Sequence, residues 1–298
     1  MSLHDRAETL MVRAILGCFG ALSPVAASNL GGAIMRLVGP MLPSHQVVVD
    51  NLRRALPERA ADHRRIGLEA WENLGRVLGE LVHLPRILLP TESGPGLEIV
   101  NRDIIDAALL PAPPAIFFSA HIGNWEILIP QGVRMGGVLA GIYRAPQRPG
   151  VDGLLTRARH LAGGKEFPLF PKGNKGGRDA FAFMRKGGKL AILMDQKLNE
   201  GIEVPFFGRP AMTATAAAKF ALNFRCPVVP VHTERIGPAR YRLVANPALE
   251  LPSTGDAAQD VMTLTANMTE VIEGWIRARP GEWLWMHRRW PAEGGGEE

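Results

Sequence analysis

Between residues 62 and 84 apolar side chains recur at Leu68, Trp71, Leu74, Leu78, Leu81 and Val82, a spacing that gathers them on one helical face, and Pro85 closes the pattern. The same period returns over 257–279, where Val261, Leu264, Met268, Val271, Ile272 and Trp275 form the stripe. Between these two helices the pattern changes. Four short apolar runs, 115–119, 138–143, 190–194 and 228–231, read as buried strands, and helix-like segments over 154–161 and 213–224 separate them. The alternation predicts an α/β fold with a central, mostly parallel or mixed sheet flanked by helices. A stretch rich in Pro, Gly, Ser and Thr over 90–96 marks a linker or turn between the helical N-terminal third and the sheet.

The N-terminal segment reads differently. Residues 14–35 carry no formal charge and are bounded by Arg13 and Arg36, yet Ser23, Pro24, Ser28, Asn29 and several glycines dilute their hydropathy. A full span, a monotopic anchor, a buried helix and a secretory signal all fit, and the membrane anchor ranks first. The chain thus divides into an N-terminal helical, membrane-associating segment over 1–45, a sheet-containing body over 46–290 that carries the candidate chemistry, and a disordered Gly/Glu tail over 291–298. Near the C-terminus Trp283, Trp285 and Trp290 crowd beside His287, Arg288 and Arg289. Such a cluster suits a water–lipid boundary, and equally a segment whose indoles cover the core.

Charge sharpens the picture. The formal net charge is +5, but residues 131–190 hold 12 Lys or Arg against three Asp or Glu, leaving the remainder at −4. That region should meet something anionic, such as a phosphate, an anionic lipid or an acidic carrier protein. Nucleic acid is excluded as the leading partner, because no zinc-finger spacing, basic zipper or aromatic RNA-binding signature is present. Cys18 and Cys226 make no disulfide framework, which points to a reducing compartment.

In open α/β sheets the site lies beyond the carboxyl ends of the strands. A polar residue follows each apolar run there: His121, Arg144, Asp195 and His232. The densest chemistry is the segment Ser119-Ala-His-Ile-Gly-Asn-Trp-Glu126. Helical metal ligands sit four apart, whereas His121 and Glu126 are five apart across a Gly-Asn break, an angle of about 140° on a helix. They fit instead a histidine on the loop after a strand and a carboxylate in the first turn of the next helix, with Asn124 as N-cap. There Glu126 would stay ionised near the helix dipole and accept a hydrogen bond from one ring nitrogen, leaving the other as a base. No G-x-S-x-G elbow is present, so His121 is expected to deprotonate an acceptor hydroxyl that attacks the donor directly, without a covalent enzyme intermediate.

The segment His-Ile-Gly-Asn-Trp-Glu over 121–126, with Tyr-Arg at 143–144, Met-Asp-Gln at 194–196, Val-Pro-Phe-Phe-Gly at 204–208 and the closing Trp-Met-His-Arg-Arg-Trp, resembles the lipid A late acyltransferase family. The similarity runs over about residues 51–290 in the family's order and spacing. It implies an inner-membrane enzyme facing the cytoplasm, an acyl-carrier-protein thioester as donor, a hydroxyl of a membrane-embedded lipid A precursor as acceptor, no metal and no cofactor. The family's catalytic dyad falls on His121 and Glu126. Two positions depart from its habit: Ala145 stands between Tyr-Arg and Pro146, and Lys197 follows the Asp-Gln pair. Both adjoin the expected acceptor site. Related enzymes acylate phosphatidylinositol mannosides or lysophospholipids by the same chemistry, which is the alternative; a non-catalytic lipid-binding protein and a hydrolase fit the residues less well.

The remaining candidates support substrate. Arg144 matches a lipid phosphate or an oxyanion, and Asn124 and Gln196 line the motif loops. Lys172, Lys175 and Arg178 lie in a Gly-rich basic loop suited to phosphate or an acidic carrier. Asp195 is expected to orient a neighbouring arginine, and Phe206 and Phe207 to line an acyl groove or pack in the core.

Overall fold

The computed structural model describes residues 3–143 and 148–291, so Arg144, Ala145 and most of the expected tail lie outside the described residues. Its strands are β1 (Gly96–Val100), β2 (Ile116–Ser119), β3 (Leu139–Tyr143), β4 (Leu169–Pro171), β5 (Lys189–Leu193), β6 (Lys197–Phe206), β7 (Arg209–Thr213), β8 (Val228–Gly237) and β9 (Arg240–Ala245). Seven of them form one sheet in the order β1-β9-β8-β2-β5-β3-β4, and β6 with β7 makes a separate hairpin. Neighbours in the large sheet are parallel except β8 and β9, which are antiparallel. The fold is therefore α/β with a mixed, mostly parallel sheet. The four apolar runs became β2, β3, β5 and β8, with β8 extending to Gly237.

Both faces of the sheet are covered, which is why its central strands are uninterrupted apolar runs. Alternate residues of β2 enter opposite cores: Ile116 and Phe118 join one cluster with Leu190 and Ile192, and Phe117 joins the other with Ala191 and Val229. Each such side chain contributes about 1.5–3 kcal/mol by leaving water.

The helices are α1 (Leu3–Gly20), α2 (Pro24–Val38), α3 (His45–Ala55), α4 (His63–Glu80), α5 (Leu84–Ile87), α6 (Arg102–Leu109), α7 (Leu128–Arg134), α8 (Pro149–Gly163), α9 (Asn174–Arg185), α10 (Ala216–Phe224) and α11 (Ala257–Ala278). The uncharged stretch over 14–35 is broken rather than continuous. Ser23 caps α2, its hydroxyl accepting from the Ala26 N–H at 3.2 Å, and Pro24 starts the new helix. Among the described residues no single helix is long and apolar enough to cross a membrane.

Helix α2 packs backbone to backbone on α4. A Cβ on Gly31 would lie 2.2 Å from the Gly75 carbonyl oxygen, and one on Gly75 2.1 Å from that of Gly31, so neither position admits a side chain. Helix α1 is tied to the N-terminus of α8, where Arg148 meets Asp5 at 3.0 Å and Glu8 at 2.7 Å. The outer faces remain apolar: Leu10, Met11 and Ile15 of α1, Leu30, Ile34 and Leu37 of α2, and Met41 are all exposed. At the other end of the chain Trp283, Trp285 and Trp290 are buried, so these indoles cover the core and do not face a lipid boundary.

Candidate active site

Strands β2 and β5 are parallel neighbours with Ser119 opposite Leu193. Continuing both chains by two residues places His121 beside Asp195. The carboxylate cannot donate, so its partners fix the geometry: Oδ2 accepts the His121 backbone N–H at 3.0 Å, and Oδ1 lies 2.9 Å from Nδ1 of the same residue. Trp283 Nε1 donates to Oδ2 at 2.7 Å from the opposite side. Burial pushes the Asp195 carboxyl up, but the charge and hydrogen bonds of His121 and the Trp283 N–H outweigh it and hold it at about 2. Nδ1–H is thereby committed to Asp195, and Nε2 is left to act as an acceptor; Gln196 Nε2 stands 3.3 Å from it.

The expected hydrogen bond from His121 to Glu126 is not formed. Glu126 instead receives both arms of Arg159 on α8, Nε to Oε2 at 2.7 Å and Nη2 to Oε1 at 2.8 Å. Burial raises the Glu126 carboxyl, while the Arg159 charge, its hydrogen bonds and the charge on His121 together bring it below the usual range. Glu126 therefore acts on His121 through its field, and Asp195 does the orienting. Asp195 accordingly does not serve to orient a neighbouring arginine, because strand register gives it to His121.

The loop that carries the histidine is rigidly built. Gly123 has φ +61°, and a Cβ there would stand 2.2 Å from the Thr233 carbonyl, so only glycine fits. Asn124 accepts the Glu126 N–H at 3.2 Å, the expected cap, but it is fully buried. Its Nδ2 donates to Glu80 Oε2 at 2.9 Å, and its own N–H goes to Thr233 Oγ1 at 2.9 Å. With these atoms engaged, Asn124 positions the loop and does not line a substrate surface. Glu80, also fully buried, collects Ser28 and Arg235 at 2.6 Å each and the Tyr241 hydroxyl, locking α2, α4 and the β8–β9 hairpin behind the site. From the C-terminal segment the Leu284 N–H donates to the His121 carbonyl at 3.0 Å.

The other candidates scatter. His232 lies within β8 and not beyond its end, stacked on Trp275 with ring centroids 4.5 Å apart and Nε2 3.5 Å from Glu234. Burial, only partly offset by Glu234, depresses its pKa to about 4. Lys172 and Arg178 are exposed past β4, three strands from β2 and thus about 14 Å across the sheet. Phe206 and Phe207 are buried in the core, Phe206 against Trp283 and Trp290, so they pack the interior and do not open a groove.

Arg159 and Asp152 escaped the sequence reading, although the helix over 154–161 had been expected, and Tyr143 was quoted there only as part of the Tyr-Arg motif, without a role. Tyr143 donates to Asp152 Oδ2 at 3.1 Å, and Asp152 and Arg159 are seven residues apart on one face of α8. That face, directed at the strand ends, was the available signal. Trp283 carried the signal of an indole N–H that needs a partner once buried.

The arrangement holds a histidine base without an attached nucleophile. Among the described residues no serine or cysteine is hydrogen-bonded to the His121 ring; Ser119 Oγ is buried without a partner, and burial pushes the Cys226 thiol up to about 11. No group of three or more His, Cys, Asp or Glu among them is gathered for a metal.

The family described as "bacterial lipid A biosynthesis acyltransferase" matches residues 3–292. A phosphatidylinositol mannoside acyltransferase of Mycobacterium tuberculosis (strain ATCC 25618 / H37Rv) is 24% identical over 228 residues, 74% of this chain and 69% of that protein. The protein of the same name from strain CDC 1551 / Oshkosh is 24% identical over 200 residues, 65% of this chain and 60% of its own length. A family match over nearly the whole chain settles the class: this protein belongs to the bacterial lipid A biosynthesis acyltransferase family and is an acyltransferase acting on a lipid.

Proposed function

We propose that the protein moves a fatty acyl chain from an acyl-carrier-protein thioester to a hydroxyl of a lipid A precursor in the membrane. His121 Nε2 takes the hydroxyl proton as the oxygen attacks the thioester carbonyl, and the same proton returns to the departing thiolate. Asp195 holds the ring and supports the imidazolium, and Glu126 adds a second negative field whose geometry Arg159 fixes. The observation that carries this reading is the commitment of Nδ1 to Asp195, which leaves Nε2 as the base, with no serine or cysteine hydrogen-bonded to the ring among the described residues. Arg144 is retained as a candidate for a lipid phosphate.

The basic region over 131–190, with Lys175, Arg178 and Lys186 exposed, suits an acidic carrier protein as donor. The exposed apolar faces of α1 and α2 suit shallow seating on the cytoplasmic face of the inner membrane. A phosphatidylinositol mannoside is the second reading for the acceptor, favoured by the names of the curated relatives.

Lipid mass spectrometry of cells lacking the protein, complemented with the wild type or with His121→Ala, tests the acceptor. A lipid A species lighter by one acyl chain is expected in the deletion and in the His121→Ala strain. Loss of an acyl chain from a phosphatidylinositol mannoside instead would establish the second reading, and an unchanged lipid profile would refute both.

A further inference from the structure

A cleft of about 400 Å³ lies beside the loop that carries His121, walled by α4 with the turn before it, the segment 278–282 that ends α11 and the end of β8. Its volume is that of a small-molecule site, and no step of the proposed reaction uses it. Asn73 forms the wall toward the loop: its Nδ2 donates to the carbonyls of Gly123 at 2.9 Å and Glu282 at 3.0 Å, and its Oδ1 accepts from Arg235 Nε at 3.0 Å.

Five arginines line the cleft against three glutamates, which leaves its surface at +2. Three pairs cancel: Arg65 with Glu69 at 2.8 Å, Arg76 with Glu72 at 2.7 Å and Arg279 with Glu282 at 2.9 Å. Arg59 and Arg235 remain. Their carboxylates, Asp62 at 3.4 Å and Glu80 at 2.6 Å, do not line the cleft, and neither does Glu234, which Arg279 also meets. Arg235 is the most buried of the five, its side chain 11% exposed, and its Nη2 is without a hydrogen-bond partner. Two guanidinium charges on a space of this size, one of them short of an acceptor, call for an anion with several oxygens. A phosphate group supplies three strong acceptor oxygens and about −1.5 to −2 of charge. The cleft is also tied to α2: Arg76 donates to Ser28 at 3.2 Å and Asn29 at 2.7 Å, and Arg36 meets Glu72 at 3.0 Å. The outer face of that helix exposes Leu30, Ile34 and Leu37, which brings the cleft near any lipid surface on which α2 sits.

We propose that the cleft binds a phosphate group, the chemistry shared by a phosphomonoester lipid headgroup and free inorganic phosphate. The lipid source rests on the seating of α2 at a membrane; the site itself does not.

Both sources are tested on the full-length protein by binding and not by turnover. The melting temperature, titrated with inorganic phosphate against sodium chloride at constant ionic strength, reads the free ion. Co-sedimentation with phosphatidylcholine vesicles containing either phosphatidic acid, a phosphomonoester, or phosphatidylglycerol, a phosphodiester, matched in surface charge, reads the headgroup. The wild type should respond saturably to phosphate or prefer the phosphatidic acid vesicles, and Arg59→Glu should weaken that binding roughly tenfold or more. Arg64→Glu makes the same charge change at an exposed α4 residue that does not line the cleft, and should bind as the wild type does. Where Arg59→Glu fails to fold, Ala278→Glu brings a carboxylate to the cleft from an exposed position and should weaken binding likewise, with Ala278→Gln as its neutral control. A phosphatidic acid preference lost in Arg59→Glu assigns the headgroup; a phosphate response lost there, with equal binding to both vesicles, assigns the free ion. Absence of both responses in the wild type would overturn the proposal, as would responses that survive in folded Arg59→Glu and Ala278→Glu or fall equally in Arg64→Glu. Vesicle binding absent with every lipid contradicts the seating of α2, and the phosphate titration then decides the site.

Discussion

His121 is bound by Asp195 and only influenced by Glu126, which pairs with Arg159. Asp195→Asn should lower kcat by roughly 10²–10⁴, because the amide can no longer fix the tautomer or support the imidazolium. Glu126→Gln should cost less in kcat and more in stability, since it leaves the half-buried Arg159 without its counter-charge, a loss of roughly 1–3 kcal/mol. Paired kinetics and melting curves distinguish the two. A larger kcat loss at Glu126 than at Asp195 would restore the roles expected from the sequence, where Glu126 was to orient the ring and Asp195 an arginine. His232 gives a separate residue-level expectation. Its folded pKa of about 4 lies below the histidine reference of 6.5, so the unfolded chain alone binds a proton between these values and stability falls as pH drops through that window. Between pH 7.5 and 5 the wild type should lose about 2 kcal/mol that His232→Gln retains. Asp195, ionised down to about pH 2, adds nothing to that slope, so equal slopes in the two proteins would contradict the buried, neutral imidazole.

At the level of elements, strand register made half of the site and helix packing made the rest. The His-x4-Glu spacing, the strand that precedes it and the Asn124 cap were legible because local rules govern them. The partner of Nδ1 was not, since it depends on β5 lying beside β2, and sequence order does not reveal which strands pair. Arg159 was hidden for a related reason: one of the two arginines on α8 became special only when α8 settled over the strand ends. Helix α2 shows a comparable division between its two faces, the inner closed by Gly31 and Gly75, the outer bearing Leu37 at 74% exposure and leading to Met41 at 79%. Gly31→Leu should therefore lower stability by roughly 1–3 kcal/mol or more through overpacking. Leu37→Glu combined with Met41→Glu should leave the melt unchanged and reduce co-sedimentation with anionic vesicles. Full retention on the vesicles would move membrane contact away from α2.

For the whole molecule, the apolar runs announced the α/β class, and the family match over residues 3–292 places the chain among acyltransferases. Less of the periphery was legible. Strand β9 alternates buried and half-buried positions, and β4 is three residues long, so neither presents the continuous apolar run that marked the central strands. The C-terminal tryptophans were ambiguous because an indole suits a membrane boundary and a core equally; the hydrogen bond from Trp283 to Asp195 makes one of them part of the site's support. Arg144 and the tail over 292–298 lie outside the described residues.

In the proposed mechanism His121, oriented by Asp195, takes the acceptor's proton and the acyl group passes directly from donor to lipid in one step. That mechanism is tested most directly by single-turnover transfer from an acyl-carrier thioester to extracted membrane lipid, with intact-protein mass spectrometry on the same samples. The wild type should form acylated lipid with no acyl-enzyme at any time point, including when donor is supplied without acceptor, and folded His121→Ala should form roughly 10²–10⁴ less. An acyl group accumulating on the protein, or a His121→Ala enzyme as fast as the wild type, would contradict the account.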